Sequence, residues 1–268
     1  ILLAGCSGVE WLDAGHPAPP ADLPEQMVEL RGSLPADAAV EALVAKLKGL
    51  LEPREGAALV LDRLDEQDWA EYWKEHFQAV RIGRFFVHPG WVEPGPEDGL
   101  ALRIDPGLAF GTGMHPTTRL CLAELDRALP LGSLLDVGCG SGLLALAGVL
   151  GGVERILAMD NDPEAVRVSE ENAQLNGLTG RLHIQGGELQ QVEGRYALVL
   201  ANILSGTLLS LAPELVARVL SGGLLVLSGI LGEEADRVRE AFEAQGLTWE
   251  ATEHLEEWCA IRLRAPNS

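Results

Sequence analysis

The stretch "LLDVGCGSGLLAL", residues 134–146, decides the fold. An apolar run ends in Asp136, glycines follow at 138, 140 and 142, and apolar residues then resume. A short apolar run closed by a turn suits a strand buried on both faces, and the apolar run after the turn suits a buried helix. Glycine at that turn lets the backbone approach a ligand closely and adopt positive φ. The unit is therefore a candidate cofactor cradle.

Outward from that turn, strand-like and helix-like segments alternate. "SLLDVG", "RILAMD", "RLHIQG", "YALVLAN" and "GLLVLSG" read as strands. "GLLALAGVL", "PEAVRVSEENAQLN", "SGTLLSLAPELVARVL" and "EEADRVREAFEAQG" read as the intervening helices. Such alternation predicts an α/β fold, a parallel sheet with helices on both faces. The last stretch, "LTWEATEHLEEWCAIRLRA", reads as two strands with no helix between them, an antiparallel hairpin closing the sheet. Dinucleotide-binding sheets normally continue with parallel units instead.

The glycine spacing also bears on the cofactor. A dinucleotide fingerprint needs G-x-G-x-x-G, and Leu143 stands where its third glycine belongs. Asp136 would face an anionic pyrophosphate badly, and suits a ligand carrying sulfonium and ammonium charge. Asp160, ending the next strand, is placed to accept hydrogens from ribose hydroxyls. Together these features favour S-adenosylmethionine, bound at the carboxyl ends of the strands.

"LANIL" brings Asn202 out of an apolar strand beside the expected methyl donor, where a side-chain carbonyl orients an attacking amine. Asn202 is the candidate catalytic residue; an asparagine ending a strand at a turn is the plainer alternative. Ile203 and Leu204 stand where base and amide methyltransferases carry the prolines of N-P-P-Y, which disfavours those targets. Upstream, "LAFGTGMHPTTRL" (108–120) reads as a flexible turn and a helix start. Pro116 fits the first helical position, with His115 just before it, a candidate base or, more plainly, a capping or packing residue. The same loop is a candidate lid.

Residues 1–61 carry a weaker pattern. "MVELRG" (27–32) and "AALVLDRL" (57–64) look like strands flanking an amphipathic helix, which suggests a small α+β, ferredoxin-like unit lacking its first strand. Residues 62–97 read as a connector, with Trp69, Trp73 and Phe77 striping one helical face. Residues 98–268 form the cofactor-binding domain.

The 268 residues carry a net charge of −20, which opposes nucleic acid as a direct partner and favours a cationic one or simple solubility. Four scattered cysteines form neither a zinc pattern nor a disulfide framework, so no metal site is expected and reduced thiols fit. "ILLAGCSG" superficially resembles a lipoprotein cleavage box, yet no basic start or sufficient apolar run precedes Cys6, and no run is long enough to span a membrane. The expectation is a cytoplasmic protein, monomeric by default.

The strings "GLAFGTGMHPTTRLCL", "LLDVGCGSGLLAL", "AMDNDPEAV…ENAQLNG", "LANIL" and "LSGIL", in this order, closely resemble the ribosomal protein L-eleven methyltransferases, the PrmA family. The resemblance covers roughly residues 57–264 and includes the connector. It implies a class I methyltransferase, with a Rossmann-like sheet, a terminal antiparallel hairpin and a diverged N-terminal recognition domain. It further implies methylation, up to trimethylation, of lysine ε-amines and the N-terminal α-amine of ribosomal protein L-eleven. By the same resemblance the S-adenosylmethionine contacts fall on Thr118, Gly138, Asp160 and Asn202, joined by Gly140 of the turn and by Phe110 and Thr112 of the loop. Met114 and the Gly186-Gly187-Glu188 strand tip depart from the family pattern. The competing readings are a small-molecule or RNA methyltransferase of the same fold, a dinucleotide-dependent dehydrogenase, and a non-catalytic module.

Overall fold

The computed structural model describes residues 7–12, 29–33, 44–45, 48–49, 78–104 and 113–267. The chain divides into two compact units, Ile1–Trp69 and Ala70–Ser268. In the first, strand β1 (Ser7–Leu12) pairs antiparallel with β2 (Glu29–Ser33), and residues 44–45 and 48–49 are helical. The strand expected over 57–64 and the aromatic stripe at 69, 73 and 77 lie outside the described residues.

The second unit is built on a seven-stranded sheet. Its strands are β6 (Ser133–Val137), β7 (Arg155–Asp160), β8 (His183–Gly186), β9 (Tyr196–Asn202), β10 (Val219–Leu231), β11 (Thr248–Leu255) and β12 (Trp258–Arg264). Their spatial order is β11-β12-β10-β9-β6-β7-β8. β8, β7, β6, β9 and β10 run parallel, while β12 runs antiparallel to both β10 and β11. The terminal hairpin is present as expected, and β12 is the strand that reverses direction. β6 is flanked by β7 on one side and β9 on the other, so the chain order reverses beside it. In open α/β sheets ligands bind outside the carboxyl ends of the strands at this switch point.

Alternation along each strand splits the core in two. Leu134, Ile156, Ala158, Leu198, Leu200 and Val226 face one layer with α1 (Pro116–Ala128), α2 (Leu143–Leu150) and α3 (Pro163–Leu175). Leu135, Val137, Leu157, Met159, Val199, Leu225, Leu227 and Ile261 face the other, with α4 (Ser205–Ser210), α5 (Ala212–Ala217) and α6 (Ala235–Glu243). α2 is apolar all round, and its residues Leu143–Val149 are all buried, as such a helix must be.

Two features differ from the sequence reading. The single helix expected over 205–220 breaks at Leu211, where Pro213 restarts it, and ends at Ala217 so that Val219 joins β10. Proline has no amide hydrogen and fits a first turn far better than a helix interior. Residues 80–103, read without strands, form a three-stranded sheet. There β3 (Val80–Ile82) pairs antiparallel and β5 (Leu100–Arg103) pairs parallel with β4 (Phe85–His88). Ile82, Phe85, Val87, Leu102 and Ile104 pack into the same core as α1 and α2.

Candidate active site

The turn from β6 to α2 places φ of Gly138, Gly140 and Gly142 at 71°, 53° and 76°, the left-handed region that side chains resist. This requirement explains the glycine at every second position. Space matters as well as conformation: a Cβ on Gly138 would stand 2.4 Å from Ile203 Cγ2. Backbone bonds fix the turn to the neighbouring strand, Gly138 N and Cys139 N both donating to Met159 O at 2.9 and 3.0 Å.

Asp160, at the tip of β7, reaches the same turn. Its Oδ2 accepts from Gly140 N at 3.0 Å and its Oδ1 from Asp162 N at 3.0 Å. Each carboxylate oxygen retains further acceptor capacity. Asp136 lies beneath, 1% exposed. Its Oδ2 accepts from Ala145 N at 3.2 Å, while its Oδ1 is buried with no partner among the described residues. Burial pushes the Asp136 carboxyl up to about 7, opposed by the Ala145 bond and assisted by nearby Asp160. Cys139, within the turn, is a buried thiol whose pKa burial also raises. It is therefore no thiolate nucleophile.

From the other side come Asn202 and α1. Asn202 ends β9, and its Nδ2 donates to Thr118 Oγ1 at 3.4 Å. Its Oδ1 is buried without a hydrogen-bond partner among the described residues. Thr118 is in the first turn of α1, which begins with Pro116 and is capped by His115, whose side chain accepts from Thr117 N at 3.3 Å. The expected capping role of His115 is thus the observed one. Its ring meets Trp258 edge-on with centroids 5.0 Å apart, and burial lowers its pKa against the pull of Glu257 and Glu256. A neutral imidazole suits a cap that accepts from a backbone amide.

Thr118, Gly138, Gly140, Asp160 and Asn202 all belong to the carboxyl end of the sheet, linked by the contacts above. Phe110 and Thr112 lie outside the described residues. Sequence reasoning missed Trp258, which the pairing of β12 with β10 at Leu231 brings beside the His115 cap. It also missed Ser169 and Asn172 of α3, whose side chains bond the carbonyls of the glycine turn. A cavity of about 490 Å³ lies at the opposite, amino end of the sheet, between α1, β10 and β12. Its charged walls, Glu124, Glu250, Arg262 and Arg264, are joined in ion pairs, and the open acceptors are elsewhere. The carboxyl end, not this cavity, is therefore the candidate site.

The family profile described as "Ribosomal protein L11 methyltransferase (PrmA)" matches residues 4–266. The ribosomal protein L11 methyltransferase of Geobacter metallireducens is 45% identical over 204 residues, 75% of this chain and 68% of that protein. The enzyme of that name from Syntrophotalea carbinolica is 40% identical over 259 residues, 91% of this chain and 84% of that protein. Among solved structures, the ribosomal protein L11 methylase of Lactobacillus delbrueckii subsp. bulgaricus superposes with a TM-score of 0.66 at 30% identity. It covers 71% of this chain and all of that one. The two-layered core, the switch point beside β6 and these relatives converge: the chain belongs to the ribosomal protein L11 methyltransferase family.

Proposed function

We propose that the chain transfers methyl groups from S-adenosylmethionine to lysine ε-amines and the N-terminal α-amine of ribosomal protein L-eleven. The observation that carries the reading is Asn202, whose Oδ1 is buried at the switch point without a partner among the described residues while its Nδ2 is held by Thr118. An unpaired buried acceptor costs about 1–3 kcal/mol, and a ligand donor would recover that. An amine N–H is such a donor, and accepting from it aims the nitrogen lone pair away from Asn202.

The site fits the proposed donor on three counts. The glycine turn leaves a cradle that a Cβ at Gly138 would fill. Asp160 offers acceptors for ribose hydroxyls, and Asp136 adds negative charge for a cationic ligand as its carboxyl ionises near pH 7. Thr118, Gly138, Gly140, Asp160 and Asn202 would hold it, with Phe110 and Thr112 as further contacts. When bound, S-adenosylmethionine supplies an electrophilic methyl group on a sulfonium. The protein's part is then positioning, which is worth several kcal/mol when reacting atoms are aligned.

A lysine amine has a free pKa of about 10.4 and must lose its proton before attack. Desolvation beside Asn202 lowers that pKa, and the proton leaves to water. The charge of −20 draws a basic protein substrate toward the enzyme. Residues 1–61 serve as the recognition domain, and the part of the 62–97 segment ahead of β3 as the connector that presents successive amines to the cofactor-binding domain. The working compartment is the cytoplasm and the working unit a monomer. Among the described residues no helix is long and apolar enough to cross a membrane.

The deciding experiment incubates the protein with S-adenosylmethionine and unmethylated ribosomal protein L-eleven and reads intact mass. The expected result is gain in steps of one methyl group, slowed roughly a hundredfold by Asn202→Ala, the scale of a lost positioning contact. No gain, while S-adenosylhomocysteine still raises the melting temperature, sinks the substrate assignment. Stabilisation by a nicotinamide dinucleotide instead sinks the cofactor assignment.

A further inference from the structure

The string "ENAQLNG" (171–177) has no role in the chemistry above. Ser169, Asn172 and Asn176 recur at i, i+3 and i+7, one stripe along α3 and its C-cap. Ser169 is fully buried and Asn172 is 6% exposed, and polar side chains persist at such depth only with partners. Ser169 Oγ donates to Gly140 O at 2.8 Å, and Asn172 Nδ2 donates to Ser141 O at 2.9 Å. The Ser169 proton being used on Gly140, the Cys139 thiol donates to Ser169 Oγ at 3.4 Å. Asn176 does something different. Its Oδ1 accepts from Arg103 N at 2.8 Å and its Nδ2 donates to Arg103 O at 2.7 Å, holding β5 as a neighbouring strand would.

We propose that Ser169 and Asn172 are positioning residues for the cofactor, clamping the crest of the glycine turn from behind so that it is formed before ligand arrives. The inference rests on reading that turn as the S-adenosylmethionine site. The turn's amides at 138, 139 and 140 are tied to Met159 O and Asp160, and the carbonyls of Gly140 and Ser141 are bonded from the opposite side. α3 fixes both. Glycines are the residues with the most backbone freedom to lose, so a crest ordered only by its ligand would weaken binding. Contact is close: a Cβ on Gly142 would lie 2.9 Å from Ser169 Oγ, with no room for a bridging water to substitute.

The test compares Ser169→Ala and Asn172→Ala with Asn176→Ala, titrating each full-length protein with S-adenosylhomocysteine by calorimetry and recording Tm. Loss of one buried hydrogen bond from the crest should raise Kd about tenfold in the first two. KM for S-adenosylmethionine should rise with it, while kcat at saturation and KM for the protein substrate stay near wild type. Asn176→Ala should lower Tm as loss of two half-buried hydrogen bonds does, with Kd essentially unchanged. Ser169→Ala removes a single oxygen and carries the test if Asn172→Ala does not fold. An unchanged Kd in the crest variants overturns the clamp, and so does an equal rise in all three, which marks general loosening. Failure of the wild-type protein to bind S-adenosylhomocysteine overturns the underlying reading instead, a result distinct from either.

Discussion

At the amino end of the seven-stranded sheet, Glu124 is 2% exposed and paired with Arg127 and Arg262, while Glu250 bridges Arg262 and Arg264. At the carboxyl end, Asp136 and Asn202 each keep one buried oxygen without a partner among the described residues, and the glycine turn holds three alternate residues in left-handed conformations. The first arrangement closes its charges on one another and fastens α1 to the terminal hairpin. The second keeps hydrogen-bonding capacity open at a cost to stability. Buried acceptors left open beside a glycine turn are places where a ligand's donors recover the cost.

Three substitutions test that contrast. Glu124→Ala leaves Arg262 short of a buried partner and should cost about 3 kcal/mol of stability or more in denaturant unfolding. Its affinity for S-adenosylhomocysteine should be unchanged; a weakened affinity would mean the two ends are not separable. Gly138→Ala puts a Cβ 2.4 Å from Ile203 Cγ2 at a φ of 71°. Strain of this kind costs of order 1–3 kcal/mol. The ligand-induced rise in Tm should vanish, because the side chain occupies the cradle. Retained stabilisation by ligand would move the cofactor elsewhere.

Asp136→Asn carries a sign that depends on pH. The folded-state pKa, about 7, lies above the unfolded value near 3.8, so the folded protein holds the extra proton between those limits. Wild-type stability attributable to Asp136 is therefore present below about 4 and lost as pH rises through 7. The variant has no such loss. Its Tm should exceed the wild-type Tm at pH 8, by at least about 1 kcal/mol in stability, and the advantage should shrink toward pH 4. Cofactor affinity should fall at the same time. A pH-independent difference would show that Asp136 is already ionised in the fold.

The contrast between the two ends also explains what was legible in the sequence. The strands and helices of residues 133–264 follow from unbroken apolar runs and helical spacing, signals that local sequence carries well. The glycine spacing announced positive φ, and Asp160 and Asn202 announced themselves as polar residues ending apolar strands. The sheet of β3, β4 and β5 did not. Its strands are three and four residues long, too short for a period to register, and β4 pairs with β5 across the proline-rich 89–99 segment. Ser169, Asn172 and Asn176 escaped for a related reason. A polar stripe on a helix reads as a solvated face, and only the tertiary fold reveals that this one is turned toward backbone carbonyls. The break at Leu211 was readable from Pro213, since a proline that deep in a helical pattern marks a restart.

β12 has a consequence for how the molecule comes into being. It is the last strand in chain order, yet it sits between β10 and β11 and supplies the contact by which β11 joins the sheet. Until Trp258–Arg264 has been synthesised, the outer edge of β10, with Leu224–Leu227 and Ile230, has no strand to pair with. A nascent chain of this family therefore carries an open, leucine-rich edge of the sort that templates aggregation. The hairpin that finishes the sheet is also what makes the chain safe to release.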